Sequence, residues 1–299
     1  MARRLASALL AVALALIAQT CGAMEVTVTG DDGVSVTLAA PAKRIVSFYA
    51  GHSENILALG GEDSLVAVAE GDDPALFPEL PRLPLRSDAE KILSLAPDLV
   101  VIRPLAGAVN EGVLRALAQG GVPVLSLSPP LPATMESYLG RLSSILGVTG
   151  GGTVWKEALL SIEGGDSMEK TRPKVFLETS GKGVRTCSPD SWAAMLISLA
   201  GGENAAAQAA PLRQGSSIAT WGEERLLELA EGGLDIYIVQ TGAMNPVTEE
   251  EVMARPWIFG LRGARIVLIP EEDISRPSLL RMRGTVERLR GIFDEEDAR

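Results

Sequence analysis

The sequence has few of the side chains from which metal sites and disulfide frameworks are built. It contains one histidine, His52, and two cysteines, Cys21 and Cys187, in 299 residues. Tetrahedral zinc sites draw mainly on histidine and cysteine, so this composition argues against a bare zinc site. Two cysteines do not make a disulfide framework either, and we expect the stability of the fold to come from its hydrophobic cores.

Positive charge is also scarce, since 27 lysines and arginines stand against 38 aspartates and glutamates and the formal net charge is -11. An acidic surface repels phosphate backbones and anionic lipids, which disfavours binding to nucleic acids and electrostatic docking to membranes. No apolar run reaches the roughly 20 residues of a membrane-spanning helix, so a membrane-spanning protein is not expected.

The first 23 residues have the order of a secretory signal peptide. Arg3 and Arg4 precede an almost wholly apolar stretch, residues 5–18, and small residues follow the cysteine at position 21. We therefore expect an exported protein, periplasmic or otherwise extracytoplasmic. A lipid anchor at Cys21 stays open, because bacterial lipoprotein signals end before a cysteine; here, however, Thr20 stands where those signals prefer glycine or alanine.

Two helix-strand units occur twice in the same order. Residues 90–102 and 224–239 each pass from a leucine-rich helical pattern to a β-branched strand, and a second shared phrase precedes each copy at 56–63 and 197–204. Alternating helices and strands predict an α/β protein, with a parallel sheet covered by helices on both faces in each lobe. Two such lobes form a cleft between them, where ligands commonly bind.

The predicted divisions follow from these patterns. Residues 1–23 form the signal peptide, 24–132 the N-terminal lobe, 133–172 a helical bridge with a break at 147–152, and 173–299 the C-terminal lobe. The bridge is the one connection between the lobes that the sequence indicates. A single helical connection allows smaller closing motions than two or three flexible strands do.

Five segments resemble the periplasmic substrate-binding proteins of ABC importers for iron chelates and cobalamin. They are PAKRIVSFYAGHSENILALG at 41–60, LVAV at 65–68, EKILSLAPDLV at 90–100, LAGGEN at 199–204 and SRP at 275–277. The resemblance extends over residues 41–293 and includes both lobes. It implies two lobes bridged by a single helix, a ligand held between them, and delivery to a membrane permease and its ATPase.

Ligands of parallel α/β sheets bind at the carboxyl ends of the strands, so candidate residues were sought in the loops that follow strands. The candidates for ligand binding are Tyr49, His52, Arg103, Arg185, Trp221, Met244, Asn245 and Arg276. The three arginines follow strands, and guanidinium groups bind carboxylate, phosphate or catecholate oxygens through paired hydrogen bonds. Trp221, Met244 and Asn245 could pack against a macrocycle or an aromatic chelator.

Haem would need an axial ligand, for which Tyr49, His52 or Met244 could serve. A lone histidine is more often structural, and His52 lies at a predicted helix start. The resemblance also assigns one glutamate in each lobe to permease docking, and the matching residues are Glu54 and Glu224. Both glutamates also suit a helix start through the helix dipole alone.

Taken together, the sequence predicts the substrate-binding component of an ABC importer for a ferric siderophore or a similar anionic metal chelate. Cobalamin, another corrinoid or haem is the alternative ligand. A ligand-sensing module for a membrane receptor is the alternative from another class. No nucleophile can be placed beside a base, so an enzyme is not expected. We expect a monomer without a cofactor of its own, whose ligand contains a chelated metal.

Overall fold

The computed structural model describes residues 25–104, 111–163 and 172–294. The predicted signal peptide and Cys21 lie outside these residues. None of the described helices combines the length and the hydropathy needed to cross a membrane.

The described chain begins with an antiparallel hairpin of β1 (Val26–Thr29) and β2 (Ser35–Leu38). Buried and exposed side chains alternate along both strands, as expected for a strand that covers a core with one face. Gly33 has a φ of +80° in the connecting turn, a backbone conformation that favours glycine.

The first lobe is built on a parallel sheet, as predicted, and the sheet has five strands. Its strands are β3 (Ile45–Ser47), β4 (Leu65–Ala69), β5 (Arg82–Leu83), β6 (Leu99–Ile102) and β7 (Val124–Ser126), in the order β5-β4-β3-β6-β7. The helices are α1 (Ala50–Ala58), α2 (Ala89–Leu93) and α3 (Glu111–Gln119). A 3-10 helix, Glu62–Ser64, precedes β4. All residues of β3 and β6 are buried, because helices cover both faces of the sheet.

The described part of the connection between the lobes is helical and is broken where the sequence predicted a break. A 3-10 turn, Pro132–Thr134, leads into α4 (Met135–Leu146), and α5 (Gly151–Glu163) follows. Gly147 ends α4 with a φ of +68°, a common helix end for glycine. The two helices pack against each other, so the bridge is a helical pair and not one continuous rod.

The second lobe contains a mixed sheet. Its strands are β8 (Lys174–Ser180), β9 (Arg185–Cys187), β10 (Glu203–Asn204), β11 (Ala210–Pro211), β12 (Ile218–Thr220), β13 (Ile236–Thr241) and β14 (Arg265–Pro270). Four of these strands are parallel: β8 lies between β10 and β13, and β14 pairs with β13. On the side of β8 away from β13, beyond the short β10, the strands β9, β12 and β11 add an antiparallel edge. The reason is the short turn at 181–184, since so few residues join antiparallel strands only.

Helices cover both faces of this second sheet. They are α6 (Trp192–Leu199), α7 (Glu223–Glu231), α8 (Glu249–Met253), α9 (Glu271–Ile274) and α10 (Leu279–Asp294), together with a 3-10 helix, Pro256–Leu261. The repeated helix-strand unit is thus confirmed, because residues 90–102 hold most of α2 and all of β6, and 224–239 hold most of α7 and β13. The shared phrase at 56–63 and 197–204 ends a helix in both copies but leads into a 3-10 helix in the first and into β10 in the second.

One hydrophobic core continues from the first lobe into the second. It includes Ile45 of β3, Leu139 of α4, Trp155 of α5, Trp192 of α6 and Leu289 of α10. The rings of Trp155 and Trp192 are stacked with their centroids 6.0 Å apart, which joins the bridge to the second lobe. A close-packed core shared by both lobes resists independent movement of either lobe.

Candidate functional site

The loops at the carboxyl ends of both sheets meet at one place. The Nη1 atom of Arg276, which follows β14 and α9, lies 2.7 Å from Oε1 of Glu54 in α1. The Nη2 atom of Arg276 also donates to the carbonyl of Gly71, in the loop after β4. Since ligands of open parallel sheets bind beyond the carboxyl ends of the strands, this junction is the candidate site.

Tyr49 and Arg103 form the part of the site that belongs to the first lobe. Tyr49 follows β3 and Arg103 follows β6, its neighbour in the sheet, and both side chains are partly exposed. The guanidinium carbon of Arg103 lies 5.2 Å from the centroid of the Tyr49 ring, a cation-π contact. Gly51 makes room for the ring, because a Cβ at this position would lie 2.5 Å from Cε1 of Tyr49.

The electrostatics of this pair suit an anionic ligand. Burial raises the pKa of Tyr49 to about 12, while the charges of Arg276 and Arg103 oppose this rise. The phenol is therefore neutral at physiological pH and can donate a hydrogen bond. Arg103 makes no ion pair with a carboxylate in the described part of the chain, so its charge is not neutralised by those groups. The prediction that both residues contact ligand stays a prediction.

His52 is a structural residue, and the predicted ligand contact is wrong. The imidazole is fully buried, with Nε2 3.0 Å from the carbonyl of Leu127 and Nδ1 2.7 Å from the hydroxyl of Tyr138. A carbonyl can only accept, so Nε2 carries the proton and Nδ1 accepts from Tyr138. Burial lowers the pKa of His52 to about 4, which keeps the ring neutral. No nitrogen remains for an axial haem ligand.

Arg276 and Asn245 both bond within the protein. The ligand contact predicted for Asn245 is wrong because its side chain is buried, whereas that of Arg276, whose side chain is 17% exposed, stays a prediction. The guanidinium of Arg276 is paired with the buried carboxylate of Glu54. The side chain of Asn245 donates to Gln240 O at 2.8 Å and to Oε1 of Glu178 at 3.2 Å, and it accepts from Gly181 N at 3.2 Å. These bonds use the amide to hold loops in place and leave it buried.

Of the predicted ligand-binding residues in the second lobe, Arg185 and Met244 lie exposed at its edge, whereas Trp221 lies against its outer core. Arg185 is exposed at the start of β9, paired with Ser180 at the carboxyl end of β8. Met244 is 45% exposed in the loop after β13. Trp221 instead packs in the outer core of the second lobe, and the guanidinium carbon of Arg225 lies 3.7 Å from its ring centroid. One ring face is thus covered by Arg225, and ligand stacking by the partly exposed Trp221 stays a prediction.

The two glutamates predicted to dock a permease have different environments. Glu54 is fully buried and receives hydrogen bonds from Arg276 and Arg281, so it presents no carboxylate at the surface. The docking role predicted for Glu54 is therefore corrected. Glu224 is exposed in the first turn of α7, a position open to a partner. Its docking role remains a prediction.

A buried ionic network beside the turn at 181–184 was missed by the sequence analysis. Glu178 of β8 is fully buried, and Nη1 of Arg255 lies 2.7 Å from both of its carboxylate oxygens. The hydroxyl of Tyr237 donates to the same carboxylate. Burial and the charge of Glu178 raise the pKa of Tyr237, so the phenol remains protonated. A glutamate within the apolar strand KVFLETS was the signal for this network.

Asp72, in the loop after β4, was missed as well. It is only 3% exposed; Oδ2 accepts from Ala69 N at 2.8 Å, while Oδ1 has no hydrogen-bond partner among the described residues. Burial raises the pKa of Asp72 to about 6, although the nearby hydroxyl of Ser53 and the hydrogen bond from Ala69 oppose the rise. The carboxylate thus lies beside the candidate site with part of its hydrogen-bonding capacity unused.

The fold of the chain is similar to that of solved periplasmic binding proteins, although its sequence matches no family model. No protein-family model and no curated protein sequence matches the chain. The structure is similar to the periplasmic haem-binding protein HutB of Vibrio cholerae, with a TM-score of 0.64, 20% identity, and coverage of 83% of this chain and 98% of that chain.

The chain is also similar to two solved structures of proteins that are named for other ligands. The periplasmic vitamin B12-binding protein BtuF of Vibrio cholerae has a TM-score of 0.60 at 20% identity, covering 87% of this chain and 99% of its own. The ABC-type Fe3+-hydroxamate transport system of Saccharomonospora viridis has a TM-score of 0.65 at 20% identity, covering 89% and 98%. The chain has the two-lobed α/β fold of these periplasmic binding proteins, which confirms the predicted fold class.

Proposed function

We propose that the protein is the exported substrate-binding component of an ABC importer and that it carries a ferric siderophore or a similar anionic metal chelate. The observation that supports this most directly is the Tyr49–Arg103 pair at the junction of two lobes with the fold of periplasmic binding proteins. The protein's role is thus binding and delivery rather than catalysis.

The preference for an anionic chelate rests on the charges of the junction. Arg103 has no carboxylate partner among the described residues, and the neutral phenol of Tyr49 lies beside it. Exposed Arg185 adds positive charge at the edge of the second lobe. Guanidinium groups and hydroxyl donors bind the oxygens of catecholates, hydroxamates and carboxylates through charge-assisted hydrogen bonds.

Haem and cobalamin are the alternative ligands within the same class. His52 is not available as an axial ligand, because both ring nitrogens are bonded inside the core. Tyr49 and Met244 are the remaining candidate axial ligands; the phenol of Tyr49 is protonated without ligand and lies against Arg103, and Met244 is exposed in the loop after β13. These features favour the anionic chelate over haem, and cobalamin serves with haem as a comparison ligand in the test.

The partners proposed for this function are a membrane permease and its ATPase. Exposed Glu224 would then meet positive charge on the permease. An alternative from another class is a sensory module that reports the ligand to a membrane receptor. Restoration of chelate uptake by the protein together with a permease and an ATPase would support import, whereas a ligand-dependent response of a receptor kinase would support sensing.

The ligand is tested by titration calorimetry with a ferric catecholate, a ferric hydroxamate, haem and cobalamin. We expect saturable binding of a ferric siderophore by the wild type and binding weaker by about ten- to a hundredfold in Arg103→Ala, as for loss of a charge-assisted hydrogen bond. Arg115→Ala, at an exposed arginine of α3, is the matched control and should bind as the wild type does. Equal affinity in Arg103→Ala and the control would remove Arg103 from the site, and binding of none of the four ligands would contradict the proposed ligand class.

A further inference from the structure

Beside the shared hydrophobic core, a single buried carboxylate bonds across the contact between the lobes. Glu54 of α1 belongs to the first lobe and is fully buried. Nη1 of Arg276 lies 2.7 Å from Oε1, and Nε of Arg281 lies 2.9 and 3.0 Å from the two carboxylate oxygens. Both arginines belong to the second lobe, so one side chain of the first lobe binds two cations of the second.

Arg281 extends this network on both sides of the junction. Its Nη2 atom lies 3.1 Å from Asp73, in the loop after β4 of the first lobe. Its Nη1 atom lies 3.4 Å from Asp273 of α9, which also accepts from Arg288 at 2.8 Å. Arg281 is therefore held by carboxylates of both lobes at the same time.

Asn55, the next residue in α1, holds the backbone of the same segment. Its Nδ2 atom donates to the carbonyl of Pro277 at 2.9 Å, and its Oδ1 atom accepts from the backbone N–H of Leu279 at 3.0 Å. Leu279 is the first residue of α10, whose initial N–H groups have no partner within the helix. A side chain of the first lobe thus completes the start of the last helix of the second lobe.

We propose that Glu54 and Asn55 form a clamp that fixes the separation of the two lobes in the absence of ligand. Opening the lobes at this point would break the hydrogen bonds from Arg276 and Arg281 to Glu54 and both bonds from Asn55 to the start of α10. The clamp also places Arg276 close enough to affect the pKa of Tyr49. Glu54 is thus a positioning residue for the candidate site and not a docking residue.

The clamp is tested by double electron–electron resonance, which measures the distance between spin labels in the two lobes. Labels at Lys91→Cys and Glu228→Cys lie on exposed positions of α2 and α7. Cys21→Ser removes the cysteine that lies outside the described residues, and Cys187 is buried, so that it is protected from labelling. The measurement uses no ligand, so failure of the proposed chelate function would leave its result unaffected.

The wild-type background should give one narrow distance distribution. Glu54→Gln removes the charge at nearly constant size, and we expect the distribution to become at least about twice as wide or to shift. Glu111→Gln breaks an exposed ion pair within α3 and should leave the distribution unchanged. A folded Glu54→Gln protein with the wild-type distribution would overturn the clamp.

A second variant decides the matter if Glu54→Gln does not fold. Asn55→Ala leaves the ion pairs of Glu54 in place and removes the two bonds to the start of α10. We expect a broader distribution here too, together with faster hydrogen exchange of the Leu279 amide. An unchanged distribution in a folded Asn55→Ala protein would contradict the clamp.

Discussion

The buried imidazole of His52 should make the stability of the protein depend on pH in a predictable way. Its pKa is lowered from 6.5 to about 4 in the folded protein because the ring is fully buried. The unfolded chain therefore binds a proton between pH 6.5 and 4 that the folded protein does not bind. This contribution to stability is fully present above pH 6.5 and is lost as the pH falls towards 4.

The magnitude follows from the size of the shift. At about 1.4 kcal/mol for each pH unit, the lowered pKa corresponds to a loss of about 3 kcal/mol in the free energy of unfolding across this range. His52→Gln removes the titrating group and can keep an amide near Leu127 and Tyr138. We expect the variant to be about 1–3 kcal/mol less stable than the wild type at pH 7.5, and the difference to shrink as the pH falls.

Two measurements check this expectation. Urea unfolding of the wild type and His52→Gln between pH 7.5 and 4.5 gives the difference in stability at each pH. Because the chain has a single histidine, NMR of untagged protein reports the pKa of His52 without assignment. A measured pKa near 6.5, or a stability difference that stays constant over this range, would refute the buried-imidazole account.

Three further predictions concern other buried or exposed charges. Asp72→Asn should stabilise the protein by up to about 3 kcal/mol at pH 7.5 and little at pH 4, because the raised pKa of Asp72 makes its charge unfavourable as the pH rises from 4 to 6. Asp63→Asn, at an exposed position, is the control, and an equal effect of Asp72→Asn at both pH values would contradict this prediction. Arg255→Met should lower the free energy of unfolding by about 3–5 kcal/mol, because it leaves Glu178 buried without its cation. In urea unfolding, the double variant with Glu178→Gln should recover much of that loss, and additive losses would show that the two residues are not coupled. Glu224→Arg should abolish chelate uptake in cells without changing chelate affinity, whereas the control Glu231→Arg, at the other end of α7, should leave uptake normal. Normal uptake in Glu224→Arg would contradict the docking role of Glu224.

The lobes could be predicted from the sequence because their patterns are local. A leucine-rich helical stretch followed by a β-branched strand is visible within residues 90–102 and again within 224–239, and both fold as predicted. The antiparallel edge of the second sheet was not predicted, since β9, β11 and β12 have only two or three residues each. Strands of that length carry almost no periodicity.

Side-chain roles were harder to predict, because their partners are distant in the sequence. Glu54 and Arg276 are separated by 222 residues, and no spacing pattern connects them. The prediction that Glu54 begins a helix is wrong, because α1 begins at Ala50 and its first turn contains no acidic residue. The burial of Glu54 by the second lobe follows only from the tertiary structure. For His52, the structural interpretation that accompanied the ligand hypothesis matches the bonds to Tyr138 and Leu127.

Native mass spectrometry of the protein purified from its own source under iron limitation is the most direct test of the central claim. We expect one ferric chelate bound per chain, with the isotope pattern of iron, and its loss under denaturing conditions. A bound molecule without metal, or a protein that stays unliganded even after exposure to ferric siderophores, would contradict the proposed function.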